Sequence, residues 1–419
     1  MDFTRQRKLP IEHTIGIVLY MAAHGNREGY GISAQNYFSE LGRLTGETTP
    51  PASHQAISSA KEKIDWQAFR HLLQASNQDQ ELSAKQFRYQ GHTTRAVDGS
   101  GLTLPRSPEL AEYFDPRSSS AGVGHYPAAL LVTAMNVYTG QCKSARVVNH
   151  TGSEREQLMS MIESDFTRGD LALLDRGFGG VQVFSHFEKH HQFYLCRMRG
   201  SGEKNALYIQ AFLRSKKKDC LVYQSVLEEV TGESTVVQIR LIRGPKDSEG
   251  KRVVLATNLA GHKKYSRKSL LKLYRHRWTV ETMYGRVKNL LKLENFHSKS
   301  VNGVMQEIYA SLLVISLTAL VALTAAAELK LDPDTEVPSF KNVHAVVKRH
   351  LFEVILPDRA LTMRKARRLV KVLIKEASSI VWKKQPGRSY PRVSKQPIKV
   401  WNLAKNKKLR EFKNACLRA

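Results

Sequence analysis

Acidic side chains are the scarce class in this sequence: 38 Asp and Glu face 65 Lys and Arg across 419 residues, a formal net charge of +27. Such an excess calls for a polyanionic partner, either nucleic acid or an acidic membrane surface. Cysteine is nearly absent, with Cys142, Cys196, Cys220 and Cys416 scattered and no C-x-x-C pair. That spacing excludes a zinc ribbon and a disulfide framework, and it suits a reducing cytoplasm. The opening Met1-Asp-Phe-Thr-Arg-Gln-Arg-Lys8 lacks the apolar core of a secretory signal. Long apolar runs are missing too, with one exception: residues 308–327 carry no charge and are long enough to span a bilayer. Their Ala, Ser and Thr content, without an aromatic belt, reads better as a helix buried by the fold, so no membrane partner is expected. What remains is ordinary for a globular chain, 42% hydrophobic and 25% charged, with length for more than one domain.

Residues 1–84 read as helical. After Pro50-Pro51, the residues Ala56, Ala60, Ile64, Ala68, Phe69, Leu72 and Leu73 recur at helical spacing, as in a DNA-binding unit or a packing domain. From Lys85 the pattern turns to strands. Residues 93–97 form a strand expected to end at Asp98 and a Gly-Ser-Gly turn, and 126–137 with 143–148 form a hairpin. Ser153 to Glu156 is a capping box opening a helix to Phe166. Residues 171–174 are a short strand buried on both faces and ended by Asp175; a helix and the strand 193–198 follow. Residues 85–199 and 263–332 thus read as one α/β layer domain, interrupted at 200–262 by a β-rich insertion subdomain. Strands are expected there at 207–213, 221–226, 236–243 and 252–257. The region 333–419 is a basic pole. From Lys341 it holds 22 Lys and Arg against 4 Asp and Glu, interleaved with Trp382, Tyr390 and Trp401 around a non-helical Pro386-Gly-Arg-Ser-Tyr-Pro391. That mixture suits contact with a nucleic-acid backbone.

One stretch is chemically loaded: Tyr274-Arg-His-Arg-Trp-Thr-Val-Glu-Thr-Met-Tyr-Gly-Arg-Val-Lys288. Ser266 is a good N-cap and few breakers follow, so the pattern predicts one helix over 267–293. At about 100° per residue, Tyr274, Arg277 and Lys288 fall within about 40° of Glu281. Val280, Met283, Val287, Leu290 and Leu293 fall on the opposite, apolar side. A solvated face with i,i+4 ion pairs has the same pattern as one built for a phosphate and a cation.

Asp98 and Asp175 join Glu281 as candidate carboxylates. Oxygen donors of this kind select Mg²⁺ or Mn²⁺, and two such ions can clamp an in-line displacement at phosphorus. A lone Asp at a strand end is also a common turn former, so spacing alone does not bring the three together. The complete set Tyr274-x2-Arg277-x3-Glu281-x6-Lys288 resembles the signature of the insertion-sequence-4 family of bacterial DDE transposases. Asp98-Gly-Ser and Asp175-Arg-Gly-Phe are similar to that family's two other motif blocks, in the same order.

The resemblance implies an RNase H-like α/β catalytic domain interrupted by the β-rich insertion. An N-terminal helical DNA-binding domain and a basic helical C-terminal region, for DNA contact or dimerisation, would flank it. It implies metal-dependent strand cleavage and strand transfer on double-stranded DNA. A homodimer in the bacterial cytoplasm and nucleoid would carry inverted-repeat ends to a target by cut and paste. Asp98, Asp175 and Glu281 would hold two Mg²⁺ ions, with Mn²⁺ as substitute, while Tyr274, Arg277 and Lys288 hold phosphates near the terminal nucleotide. The better-known members form a hairpin intermediate and stack an extruded base on a tryptophan of the insertion. Residues 200–262 contain no Trp here, which leaves Tyr208, Phe212 or Tyr223 as substitutes, or a different step. The alternative is a sequence-specific DNA-binding protein of transposase origin that no longer cuts.

Overall fold

The computed structural model describes residues 9–26, 28–46, 51–77, 87–116, 126–199, 206–227, 232, 234–247, 250–332, 335–355 and 363–383. Four helices come first: α1 (Ile11–Ala23), α2 (Tyr30–Thr45), α3 (His54–Glu62) and α4 (Gln67–Ala75). Next are β1 (Thr94–Thr103), α5 (Pro108–Phe114), the hairpin of β2 (Ala128–Asn136) and β3 (Cys142–Asn149), and α6 (Glu154–Ser164). They lead into β4 (Leu171–Leu174), α7 (Val181–Lys189) and β5 (Phe193–Met198). The insertion holds α8 (Leu207–Arg214), β6 (Asp219–Leu227), β7 (Ser234–Lys246) and β8 (Arg252–Thr257). The chain then runs through α9 (Arg267–Tyr274), α10 (Trp278–Gly285) and α11 (Val301–Glu328). It continues as β9 (Glu336–Pro338), α12 (Phe340–Ile355), α13 (Met363–Ala377) and β10 (Val381–Lys383).

Strands β1 to β8 form one mixed sheet in the order β3-β2-β1-β4-β5-β8-β7-β6. The β1, β4 and β5 strands are parallel, while β2 and β3 on one side and β8, β7 and β6 on the other pair antiparallel. Alternation divides the core into two layers. Ala96, Leu131, Leu173, Leu195 and Leu255 pack with α1, α9, α10 and α11 on one face. Val97, Val132, Leu174, Cys196 and Ala256 pack with α6, α7 and α8 on the other. Helices on both faces explain why β2 and β4 are buried at every position.

The long apolar helix α11 is buried over residues 303–316 and only partly covered over 320–324. It packs against α1, α4 and α12, with Val304, Ile308, Leu312 and Val314 fully enclosed. At its start Glu307 accepts from the ammonium of Lys61 at 2.9 Å and from the hydroxyl of Tyr30 at 3.1 Å, pinning the N-terminal helices to the core. Cys142, Cys196 and Cys220 are free thiols.

Four expectations change. First, β1 does not stop at Asp98 but runs on to Thr103, because residues 95–103 all pair with β2, Gly99 opposite Val132. Second, residues 207–213 are helical. Ile209 and Phe212 are buried three apart while Leu207 is 82% exposed, and Arg243 donates to the carbonyls of Phe212, Leu213 and Ser215 at the helix end. Third, the insertion adds no separate sheet. Val254, Leu255 and Ala256 of β8 are fully buried on both faces, and β8 pairs with β5, so the insertion's strands extend the main sheet. Fourth, the helix expected over 267–293 is segmented. A tighter turn at Arg275–Arg277 separates α9 from α10, and a π turn at Arg286–Leu290 follows. The wider turn hands the buried position to Leu291, leaving Leu290 only partly covered. The 386–391 motif, Tyr390 and Trp401 lie outside the described residues.

Candidate active site

The site grows from the strand register. In the parallel pair, Thr94 lies opposite Leu171 and Ala96 opposite Leu173. Continuing that register sets Asp98 beside Asp175, one strand spacing of about 4.8 Å away. Ala96 and Leu173 face the layer holding α10, so alternation points both aspartates there as well. Glu281 arrives from α10. Arg277 donates to Glu281 Oε1 at 2.6 Å, and its second terminal nitrogen lies 4.0 Å from Asp98 Oδ2. One guanidinium therefore spans the strand and helix carboxylates, and Asp175 follows beside Asp98 in the strand register, at the edge formed by the C-terminal end of β4.

Two phenols hold α9 and α10 over that edge. The Tyr274 hydroxyl donates to the carbonyl of Leu174 at 3.1 Å, one residue before Asp175. The Tyr284 hydroxyl donates to the carbonyl of Asp98 itself at 2.7 Å and accepts from Thr133 at 2.9 Å. Lys288 donates to the carbonyl of Gly101 at 2.5 Å, and burial pulls its pKa down. The four-residue stripe is thus not one outer face. Tyr274 is 8% exposed and turned to the sheet, whereas Glu281 and Lys288 are partly open. Of the aromatic substitutes, Phe212 is buried under the guanidinium of Arg243, Tyr208 is partly covered, and Tyr223 is 62% exposed on β6. Sequence reasoning passed over Trp278, which is 48% exposed with the Arg277 guanidinium 5.1 Å from its ring.

It also passed over Glu154. This first residue of α6 reaches the same edge from the other layer: a methyl group at Gly99 would overlap its carboxylate. A methyl group at Gly177 would lie 3.0 Å from Asp175 Oδ1 and 3.8 Å from Glu154 Oε2, so the two carboxylates border one small space. The capping box drew attention to Ser153 and Glu156 instead; the available signal was a helix start at the sheet end that carries both aspartates. Electrostatics agree. Burial, with Asp175 and Glu154 nearby, pushes the Asp98 carboxyl up to about 6 against the pull of Arg277 and the Gly99 N–H. Burial and then the charge of Asp175 push Glu154 up as well. Asp98 and Glu281 share one guanidinium, Asp175 and Glu154 lie near Asp98, and all four offer the hard oxygen donors that suit a divalent cation such as Mg²⁺.

Carboxylates of this kind, with Arg277 between two of them, have the chemistry to hold a divalent cation against a phosphate ester. Residues 89–317, more than half the chain, match the transposase DDE domain, and the chain belongs to that family as an IS4-like DDE transposase. It is a DNA-cleaving enzyme of a class that uses divalent metal ions. Transposase InsG for insertion sequence element IS4 of Escherichia coli (strain K12) is 23% identical over 336 residues, covering 78% of this chain and 73% of that protein. The cryo-EM structure of the piggyBac transposase synaptic complex with hairpin DNA is similar over 90% of this chain and 77% of that one, with a TM-score of 0.43 and 11% identity.

Proposed function

We propose that this DNA transposase moves its element by cut and paste, as a homodimer that joins two inverted-repeat ends and inserts them into target DNA in the bacterial nucleoid. Asp98, Asp175 and Glu281 are its catalytic carboxylates and hold two Mg²⁺ ions, for which Mn²⁺ substitutes. The bound ions supply activation of the attacking oxygen and neutralisation of the leaving one. The observation that carries this reading is Arg277 tying Glu281 to Asp98, with Asp175 next in the strand register. Arg277 and Lys288 bind the phosphates flanking the scissile bond, and Tyr274 supports Asp175 from beneath instead of meeting the DNA. The strand order β3-β2-β1-β4-β5, with β2 antiparallel to β1 and with β4 and β5 parallel to it, supports an RNase H-like core over residues 85–199 and 263–332. Residues 1–84 and 333–419 serve as flanking DNA-contacting regions, the second also in dimerisation. Trp278, exposed beside Arg277, is better placed than Tyr223 to stack a base pulled from the duplex end.

Glu281→Gln keeps the hydrogen-bonding shape and removes a charge. It should lower nicking and strand transfer on cognate ends by on the order of a thousandfold or more while leaving end binding nearly intact. Full nicking by that variant in Mn²⁺ would reject the assignment. Wild-type protein that binds ends yet never nicks them in either metal would instead leave a DNA-binding protein of transposase origin.

A further inference from the structure

Glu154 has no role in the signature, yet its surroundings are those of a metal ligand. It opens α6, on the opposite side of the sheet from α10, and its carboxylate occupies the space that a side chain at Gly99 would take. Asp98-Gly99 is therefore a paired device: the aspartate faces α10 and the glycine leaves room for a second carboxylate against the strand from the other layer. Among the described residues Glu154 shows no hydrogen-bond or ion-pair partner, while Asp175 Oδ1 accepts from Gly177 N–H at 2.7 Å and Glu281 accepts from Arg277. A half-buried carboxylate beside two other carboxylates is unfavourable unless a cation joins them.

We propose that Glu154 is a fourth protein ligand of the divalent-metal site, binding on the Asp175 side, and that Gly99 exists to admit it. This rests on the reading of Asp98, Asp175 and Glu281 as the metal carboxylates. The competing explanation is ordinary: an acidic residue in the first turn of a helix is favoured by the helix dipole. Glu156 occupies the same first turn and provides the control.

The test is a Mn²⁺ titration of the full chain without DNA, with free ion read by electron paramagnetic resonance. Wild type is compared with Asp98→Asn, Glu154→Gln, Glu156→Gln, Gly99→Ala and the Gly99→Ala/Glu154→Gln double variant, all checked by thermal unfolding. Asp98→Asn and Glu154→Gln should each weaken binding by about tenfold or more, and Glu156→Gln should match wild type. Gly99→Ala changes no charge and meets only the far end of a flexible side chain, so it should fold normally and still weaken binding. The double variant should bind no worse than Glu154→Gln alone, because both changes remove the same carboxylate from the metal. Wild-type affinity in Glu154→Gln, alongside loss in Asp98→Asn, would overturn this inference and leave the site reading intact. Wild-type affinity in Asp98→Asn, or no saturable Mn²⁺ binding by the wild-type chain, would overturn both. Loss in Glu156→Gln equal to that in Glu154→Gln would assign the effect to the helix terminus and overturn the inference alone.

Discussion

Tyr274 and Tyr284 bracket Glu281, and each spends its hydroxyl on a main-chain carbonyl at or next to an aspartate. Their positions fix the distance between helix and strands beside Asp98, Asp175 and Glu281. Burial drives both phenol pKa values upward, so both stay protonated donors. Tyr284→Phe leaves the carbonyl of Asp98 and the hydroxyl of Thr133 without that partner in the interior. It should cost about 1–3 kcal/mol in urea unfolding, with Tyr274→Phe, which loses a single bond, at the lower end. Small displacements of reacting groups are costly in rate, so strand cleavage should fall further than stability, by up to about a hundredfold, with DNA binding unchanged. Cleavage at wild-type rates in Tyr284→Phe would show that the helix is seated by its apolar packing alone.

At the scale of elements, α11 organises the layer beneath the site, and its polar start ties it to α3. Glu307 accepts from Lys61, Tyr30 and the main-chain N–H groups of His297 and Ser298, all within a buried pocket. Glu307→Gln strands the Lys61 ammonium and should destabilise the fold by about 3–5 kcal/mol, whereas the Lys61→Met/Glu307→Gln pair should recover part of the loss. Equal stability of the single and double variants in urea would show that water reaches the ammonium. The uncharged apolar run of α11 was legible in the sequence, but this pin was not, since Lys61 and Glu307 lie in separate parts of the chain. The same division holds elsewhere. The short apolar strand β4, the β2–β3 hairpin and the cap at Ser153 are local patterns and can be read from neighbours. The continuation of β1 through Asp98-Gly-Ser-Gly and the docking of β8 on β5 depend on distant pairing, which no local period encodes. The π turn before Leu291 escaped a uniform helical count for a related reason: packing chose which leucine to bury. Asp98, Asp175 and Glu281 were singled out by spacing and likeness, while the nearness of Glu154 to Asp98 and Asp175 required the two faces of the sheet to be seen together.

Across the whole molecule, charge and core divide the C-terminal region into two parts. Leu351 of α12 joins the main core, and Val343 and Val347 pack with Ala377 of α13 and Ala325 of α11. A truncation at Lys341 would strip this packing and confound any binding measurement. Truncation after Lys383 spares it and removes residues 384–419, which hold eleven Lys and Arg and a single Glu. A polycation binds DNA largely by releasing condensed counterions, so its contribution is nearly independent of base sequence. The truncated protein should therefore keep its unfolding midpoint and bind cognate and random duplexes more weakly by a similar factor. Its plot of log affinity against log salt should be shallower, by about 0.9 for each phosphate that is no longer neutralised. A selective loss for cognate ends would assign base recognition to this segment, and an unchanged slope would remove it from the interface, leaving the excess charge of residues 1–383 to carry the DNA.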